Sequence, residues 1–333
     1  PEGMWLPETA VDLETLEVMA KAGILFTILA PHQASRVREG GAWRDVTAEG
    51  LDTTVPYRCE LPSGRNIALF FYNGALAHDI AFGNLLENGG TFAGRMIDGA
   101  QGEGARLSHA AVDGETFGHH RRFGEMALAY CLETVEGGGE AELTVYGEFL
   151  EKHPPTAAVE IAENTSWSCT HGVERWRSDC GCRAGDHPEW RQAWRKPLRD
   201  SLDRLREEVD RLFEEAGGEY FGDPWEARDG YIDSLLGGGR PEGRAEDLLE
   251  MERFAMLMYT SCGWFFDDIS RIETVQVLGY AARAAQLAGA ISGRDLLGPF
   301  LKSLEEVPGN TEEVPNARRA LEAAFGERLG IAG

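Results

Sequence analysis

Short apolar runs separated by amphipathic stretches organise the first half of the chain. Runs at 24–30, 67–72, 107–112 and 157–162 are continuous enough to predict four parallel strands that are buried on both faces. The stretches between them predict helices, so strands and helices alternate as in an α/β barrel or a doubly wound sheet. Four strands are too few for a closed barrel, and we therefore predict a parallel barrel that is incomplete at its N-terminal side.

From residue 188 onward the pattern is helical almost throughout. Apolar residues recur at spacings of three and four along 198–212, which predicts a helix that packs through one face. Further helices are predicted at 246–259, 273–287 and 316–329. We therefore divide the chain into an α/β part, residues 1–182, and an α-helical domain, residues 183–333.

The excess of acidic residues narrows the possible ligands. The chain has 56 acidic and 32 basic residues and a net charge of -24 at pH 7, which opposes binding to nucleic acid or to anionic lipid. A neutral ligand such as a sugar is not affected by this charge. No apolar run approaches the roughly 20 residues that cross a bilayer. We therefore predict no nucleic-acid or membrane partner, and the sequence leaves the oligomeric state open.

The cysteine content bears on the cellular compartment. Six cysteines in 333 residues are too few for a disulfide scaffold, which favours a reducing compartment, the cytoplasm. The sequence opens at Pro1 directly in a motif, so we expect that further residues precede it in the whole protein. No cofactor is predicted.

A cluster of acidic and histidine residues follows the predicted strand at 107–112. It contains Asp113, Glu115, His119 and His120, and intervening glycines let the backbone turn tightly there. Because active sites of α/β folds lie at the carboxyl ends of strands, this cluster is the first candidate site. The structural alternative is a pair of acids that interact with the dipole of the following helix.

Two groups of residues have the composition of a zinc site. Asp113 with one of the two adjacent histidines could ligate zinc, although neighbouring side chains point apart and only one histidine could coordinate. The second group consists of Cys169, His171, Cys180 and Cys182. Its C-x-H and C-x-C spacings permit a structural zinc site without the usual C-x2-C pair. Buried thiols, or a disulfide from the first cysteine to one of the later pair, remain the alternatives.

Two motifs resemble the catalytic regions of glycoside hydrolase family 57. They are GMWLPE at 3–8 and DGETFGHH at 113–120. The segments SWSCTHGVERWRSDCGC at 166–182 and MYTSCGWFFDDISRIETVQ at 258–276 look like the bacterial branch whose C-terminal part is called domain of unknown function 3536. The resemblance covers nearly the whole chain in matching order. It implies an α/β fold with a (β/α)7-type barrel, followed by the α-helical C-terminal domain.

The resemblance also implies a retaining enzyme that acts on α-linked glucans, either a hydrolase of the α-amylase type or a transferase of the branching-enzyme type. By that match Glu8 is the nucleophile and Asp113 is the general acid/base. A retaining enzyme needs two such carboxyl groups about 5 Å apart across the scissile bond. An oligosaccharide or polysaccharide is the expected substrate.

Substrate contacts are expected from aromatic and polar side chains near the motifs. Tryptophan rings offer flat apolar faces on which pyranose rings stack, and the polar groups offer hydrogen bonds. The helical domain is expected to contribute to the substrate groove through Trp264. The full set of expected contacts is Trp5, His32, Gln33, Glu115, His119, His120, Trp167, His171 and Trp264.

The chain also departs from the family pattern. The family's first region, a strand that contains histidine, and its second region are not found in these 333 residues, so we expect the chain by itself to have little or no activity. The alternatives are a zinc-dependent carbohydrate hydrolase of the mannosidase or deacetylase type and a non-catalytic glycan-binding protein. Loss of activity with chelators would favour the first. Oligosaccharide binding that survives Glu8→Gln and Asp113→Asn would favour the second.

Overall fold

A six-stranded mixed sheet carries the first half of the molecule. The computed structural model describes residues 1–46, 50–185 and 187–330. The strands are β1 (Phe26–Leu29), β2 (Ala34–Arg38), β3 (Trp43–Asp45), β4 (Tyr57–Glu60), β5 (Asn66–Phe71) and β6 (Ala157–Ile161). Their order across the sheet is β1-β5-β4-β6-β2-β3. The pairs β1–β5 and β4–β6 are parallel, and the other three pairs are antiparallel.

Three of the four predicted strands are confirmed. The apolar runs at 24–30, 67–72 and 157–162 contain β1, β5 and β6. In β5 every residue after the first is buried, because both faces of the strand are covered by apolar side chains. These strands supply Leu29, Leu69 and Val159 to one hydrophobic core.

The fourth predicted strand, at 107–112, is wrong. Two backbone hydrogen bonds hold it, since Leu107 N donates to Thr54 O over 2.9 Å and His109 O accepts from Asn73 N over 3.0 Å. A segment held at two points has no continuous ladder, so it is extended but is not a strand. An apolar run becomes a strand only where a neighbouring strand pairs with it, and the apolar pattern does not show whether such a neighbour exists.

The antiparallel half of the sheet departs from the parallel prediction. Strand β4 pairs antiparallel with β5. Sequence patterning missed β2 and β3. Strand β2 buries Ala34 and Val37 while its arginines face outward, and Arg36 Nε donates to Glu160 Oε2 on β6 over 2.9 Å. Residues 47–49 lie outside the described residues. In the described chain the sheet is open between β1 and β3, as an incomplete barrel requires.

Five α-helices lie in the described residues of the first unit, Pro1–Gly172, on either side of 47–49. Asp12 caps the first of them, since its Oδ1 accepts from Thr15 N over 2.8 Å. The third and fourth pack around a separate apolar cluster. The helices are α1 (Leu13–Lys21), α2 (Gly74–Ala81), α3 (Gly89–Gly99), α4 (Gly124–Gly138) and α5 (Tyr146–Lys152).

The second unit, Val173–Gly333, is helical, as predicted. Its helices are α6 (Arg195–Gly217), α7 (Pro224–Leu235), α8 (Arg244–Leu257), α9 (Cys262–Phe265), α10 (Ile272–Ser292), α11 (Leu297–Leu304) and α12 (Ala317–Leu329). The apolar stripe at 198–212 is buried along α6, which confirms the prediction. Helix α10 is rich in buried alanine, which lets α6, α8 and α12 approach it closely. Among the described residues, no helix combines the length and the apolar character needed to span a bilayer.

Candidate active site

Glu8 lies on a short 3-10 turn, Pro7–Thr9, just after a segment that hydrogen-bonds to the edge of β1. In that segment Met4 N donates to Phe26 O over 3.2 Å. Glu8 and Thr9 have φ values of 60° and 50°. This left-handed conformation is uncommon for residues other than glycine, and it persists where the surrounding structure holds it, often at functional sites.

Two side-chain donors hold the Glu8 carboxylate. Trp167 Nε1 and Ser168 Oγ donate to Glu8 Oε2 over 3.0 Å and 2.6 Å. The backbone N of Trp167 also donates to the backbone O of Glu8 over 3.0 Å. Hydrogen bonds to a charged acceptor are stronger than neutral ones, so the carboxylate is fixed in one orientation by the loop that follows β6.

The two polar residues that follow β1 have different surroundings. Gln33 is fully buried, and its Nε2 donates to Thr9 O over 2.8 Å while its Oε1 accepts from Ala30 N over 2.9 Å. His32 is exposed, and its Nε2 donates to Ser166 O over 2.9 Å. Gln33 therefore supports the backbone beside Glu8 and presents no surface to a ligand, whereas the ring of His32 is accessible.

Aromatic rings surround the Glu8 turn. Trp5 and Trp167 meet edge to face, with ring centroids 5.0 Å apart, and the centroid of Tyr72 lies 6.3 Å from that of Trp167. Trp5 is 38% exposed, so part of its ring is open to solvent. Such a ring beside a carboxylate provides an apolar surface for the face of a sugar.

Asp113 begins the second candidate segment. It is exposed and precedes a 3-10 turn, Gly114–Thr116, without a side-chain capping bond. The three residues before it, 110–112, pack in the same apolar cluster as Trp167. Trp167, which donates to Glu8, and the residues before Asp113 thus pack against one apolar cluster.

The remaining members of the acid and histidine cluster form a tight exposed turn. The backbone O of Glu115 accepts from the N–H groups of His119 and His120 over 3.1 Å and 2.9 Å. The two imidazole rings have centroids 4.9 Å apart. All three side chains are exposed, so they are available to a ligand. Their roles as substrate contacts stay predictions.

Trp264 and His171 lie elsewhere. Trp264 is fully buried in the helical unit, where its ring lies 6.0 Å from that of Trp194 and 4.6 Å from the Arg199 guanidinium carbon. This burial leaves no ring face for a sugar. His171 is exposed. In the described parts of the chain, the side chains around Asp113 do not converge as metal ligands do.

Sequence reasoning missed Ser168 and His109. Ser168 stands inside the motif at 166–182, but no sequence signal separates a clamping hydroxyl from a surface one. His109 is 7% exposed, and its Nε2 and Nδ1 pair with Thr53 O at 2.8 Å and with the Tyr146 hydroxyl at 2.9 Å. Burial lowers the pKa of His109, although its hydrogen bond to the Thr53 carbonyl acts in the opposite direction. Neutral His109 thus anchors the segment that leads to Asp113.

The free energy of unfolding is expected to depend on His109 below neutral pH. Because the folded-state pKa is lowered, the unfolded chain binds a proton near its ordinary pKa of about 6.5 that the folded chain excludes. The stability contributed by this exclusion is complete above that pH and is lost as pH falls towards the folded-state pKa. His109→Gln should make the stability–pH slope shallower by up to about 1.4 kcal/mol per pH unit.

Urea unfolding between pH 7.5 and 5.5 measures this slope. His153→Gln, which removes an exposed histidine from the same unit, is the matched control. Equal slopes for the wild type and His109→Gln would contradict the prediction.

The α/β unit, with its clamped carboxylate beside two tryptophans that meet edge to face, matches the glycoside hydrolases in a comparison with protein families. Residues 1–162 match the model described as glycosyl hydrolase family 57. Residues 190–245 and 239–325 match the model described as domain of unknown function DUF3536. The first unit therefore belongs to glycoside hydrolase family 57, and the helical unit carries a DUF3536 region. The comparison with curated proteins gave no match.

Solved structures share the fold at low identity. An exo-type maltose-forming amylase from Pyrococcus sp. ST04 is 13% identical with a TM-score of 0.68, and the match covers 98% of this chain and 69% of that one. An α-amylase from Thermotoga maritima is 13% identical with a TM-score of 0.56, covering 96% and 65%. A branching enzyme of the same family from Pyrococcus horikoshii is 17% identical with a TM-score of 0.51, covering 96% and 64%. The chain thus spans about two thirds of the length of these proteins.

Proposed function

We propose that the chain forms the catalytic part of a retaining enzyme for α-linked glucans, with Glu8 as nucleophile and Asp113 as general acid/base. The observation that carries the proposal is the clamp on Glu8. Trp167 Nε1 and Ser168 Oγ fix its carboxylate on a strained turn beside exposed Trp5. A surface acid with no chemical role does not require this support.

The reaction follows from these positions. Both side-chain hydrogen bonds end on Oε2, so we assign Oε1 of Glu8 to attack the anomeric carbon. As the glycosidic bond breaks, the Asp113 carboxyl donates its proton to the leaving oxygen, and a glycosyl ester forms on Glu8. Asp113, now a carboxylate, then takes a proton from water or from a sugar hydroxyl that attacks the ester. Water gives hydrolysis and a sugar hydroxyl gives transfer, both with the original anomeric configuration.

The neighbouring side chains have supporting roles in this proposal. Trp5 offers a ring face to the sugar next to the scissile bond, and exposed His32 offers a hydrogen bond. Gln33 is assigned to hold the Glu8 turn, because its amide is buried against Thr9. The substrate preferences of the structural neighbours support α-glucans as the substrate class. The cysteine content supports a cytoplasmic location.

The configuration of the first product tests the mechanism. The protein that carries this chain is incubated with maltooligosaccharides, and the anomeric protons are followed by NMR before mutarotation. We expect the α-anomer to form first, because two displacements at one carbon restore its configuration. A β-anomer as first product would overturn the assignment of Glu8 as nucleophile. Saturable oligosaccharide binding with no product at all would favour the glycan-binding alternative.

The same activity assay answers two further questions, one about zinc and one about the length of the chain. Activity that disappears with chelators would favour a zinc-dependent hydrolase. Comparing the 333 residues with a longer form of the protein tests the expectation that the chain by itself has little activity, and full turnover by the 333 residues would contradict it.

A further inference from the structure

Exposed apolar side chains line a groove beside α4, in the first unit. Phe123, Met126 and Tyr130 are 55%, 63% and 53% exposed, and their spacing of three and four residues puts them on one face of the helix. Cys131 and Val135 of the same helix pack instead in an apolar cluster. Single exposed apolar residues are common, whereas a contiguous set marks an interaction site. This α4 groove has a volume of about 690 Å³ and is lined by residues 86–90, Phe123, Met126, Ala127 and Tyr130.

The backbone makes room for the two rings of the α4 groove. Phe123 has φ of 64°, a left-handed conformation that is uncommon for a bulky residue, and its ring centroid lies 4.8 Å from the guanidinium carbon of Arg122. Such a conformation is often found at functional sites. Tyr130 packs on Gly89 at the start of α3, where a Cβ atom would lie 2.9 Å from Cδ1 of the tyrosine. A residue other than glycine would therefore displace the second ring.

Polar groups border the same groove. The first backbone hydrogen bond of α3 runs from Phe92 N to Asn88 O over 3.0 Å. The N–H groups of Gly89 and Gly90 precede it, so they have no acceptor in the helix. The exposed carboxylate of Glu87 adds an acceptor. An apolar protein segment in the groove would remove water from these groups without replacing its hydrogen bonds, whereas a ligand with an apolar face and hydroxyl groups satisfies them.

We propose that the α4 groove binds a stretch of α-glucan chain, in addition to the sugar at Glu8. A pyranose ring has an apolar face of C–H groups, which packs on Phe123 and Tyr130, and hydroxyl groups, which pair with Glu87 and the N–H groups of α3. The net charge of -24 does not oppose this neutral ligand, whereas an anionic ligand would also meet the Glu87 carboxylate. The choice of an α-glucan among neutral sugars rests on the proposed function.

The α4 groove adjoins the turn that follows Asp113. Gly124, the first residue of α4, is packed so closely that a Cβ atom there would lie 3.1 Å from Leu86 Cδ1 and 3.3 Å from Phe117 Cα. Leu86 lines the groove, and Phe117 ends the turn Gly114–Thr116. A long glucan held in the groove therefore stays close to Asp113, which raises its effective concentration at the reaction centre.

Methyl NMR of the methionines tests the groove without any assay of activity. Met126 lies in the groove, and Met4 directly precedes Trp5 of the proposed active site. Met256 is an exposed reporter in the second unit. Each signal is assigned by replacement of its methionine with leucine. We expect maltoheptaose to shift the Met126 signal saturably and to leave the Met256 signal unchanged.

Two variants remove the rings. Phe123→Gly suits the left-handed backbone, so the fold should persist, and Tyr130→Ala shortens an exposed side chain. Each should weaken the binding of maltoheptaose, measured at the Met126 signal, about 3- to 10-fold. Phe82→Ala is the matched control, because it removes an exposed ring of the same unit that does not line the groove, and it should keep the wild-type affinity.

The groove and the proposed function can fail separately. A Met126 signal that does not move with maltoheptaose would overturn the groove, and movement of the Met4 signal in the same sample would leave the proposed function intact. A Met126 signal that moves with protein concentration instead would assign the groove to contact between two copies of the chain. An inactive protein whose Met126 signal still responds, and responds less in the two ring variants, would count against the proposed function alone.

Discussion

Glu8→Gln is expected to lower kcat on α-glucans by about 10³-fold or more. An amide cannot form the glycosyl ester, so the double-displacement pathway is lost. The fold should persist, because the amide oxygen can still accept from Trp167 Nε1 and Ser168 Oγ. Initial rates on maltooligosaccharides, with circular dichroism to verify folding, measure the loss.

The control for this variant is Glu14→Gln. Glu14 is an exposed acid in the first turn of α1, in the same unit as Glu8, and its replacement should leave kcat unchanged. The smaller variant Glu8→Ala leaves room for azide as an external nucleophile. With an activated aryl glycoside it should give a glycosyl azide of inverted configuration, because a single displacement replaces two. Wild-type turnover by Glu8→Gln would refute its role as nucleophile.

The predictions from the sequence succeeded where one local pattern decides the structure. The apolar run that contains β5 is buried on both faces, and the stripe along α6 packs as its spacing requires. The segment at 107–112 has the same apolar character but lacks a strand partner along its length, and pairing is not a local property. Strand β2 was missed because Arg36 and Arg38 make the segment look polar, although Ala34 and Val37 are buried.

For the candidate site, too, the sequence predicted some features and missed others. Glu8 and Asp113 were identified through motifs, whereas the donors that hold Glu8 lie 159 and 160 residues away along the chain. Gln33 looked like a ligand contact because a polar residue at a strand end is usually accessible. Its burial against Thr9 depends on the left-handed turn at Glu8, which no composition or spacing reveals.

The second large effect is expected for Asp113→Asn. Loss of a general acid typically lowers the rate about 10²–10⁴-fold. We expect this decrease with natural glucans, because their leaving group is a poorly acidic sugar hydroxyl that needs protonation. Asp113 is exposed and makes no side-chain capping bond, so the fold is not expected to change. Asp98→Asn, an exposed acid on α3, is the matched control and should keep full activity.

The leaving group distinguishes a general acid from a residue that merely binds sugar. An aryl α-glycoside with a strongly acidic phenol needs little protonation, so Asp113→Asn should form the glycosyl ester on Glu8 nearly as fast as the wild type. The ester should then accumulate, because the base that activates water is missing. Azide needs no base, and it should restore turnover and give a glycosyl azide of retained configuration, opposite to the product from Glu8→Ala. An equal loss on both leaving groups, without rescue by azide, would assign Asp113 to substrate binding and leave the acid/base to another residue.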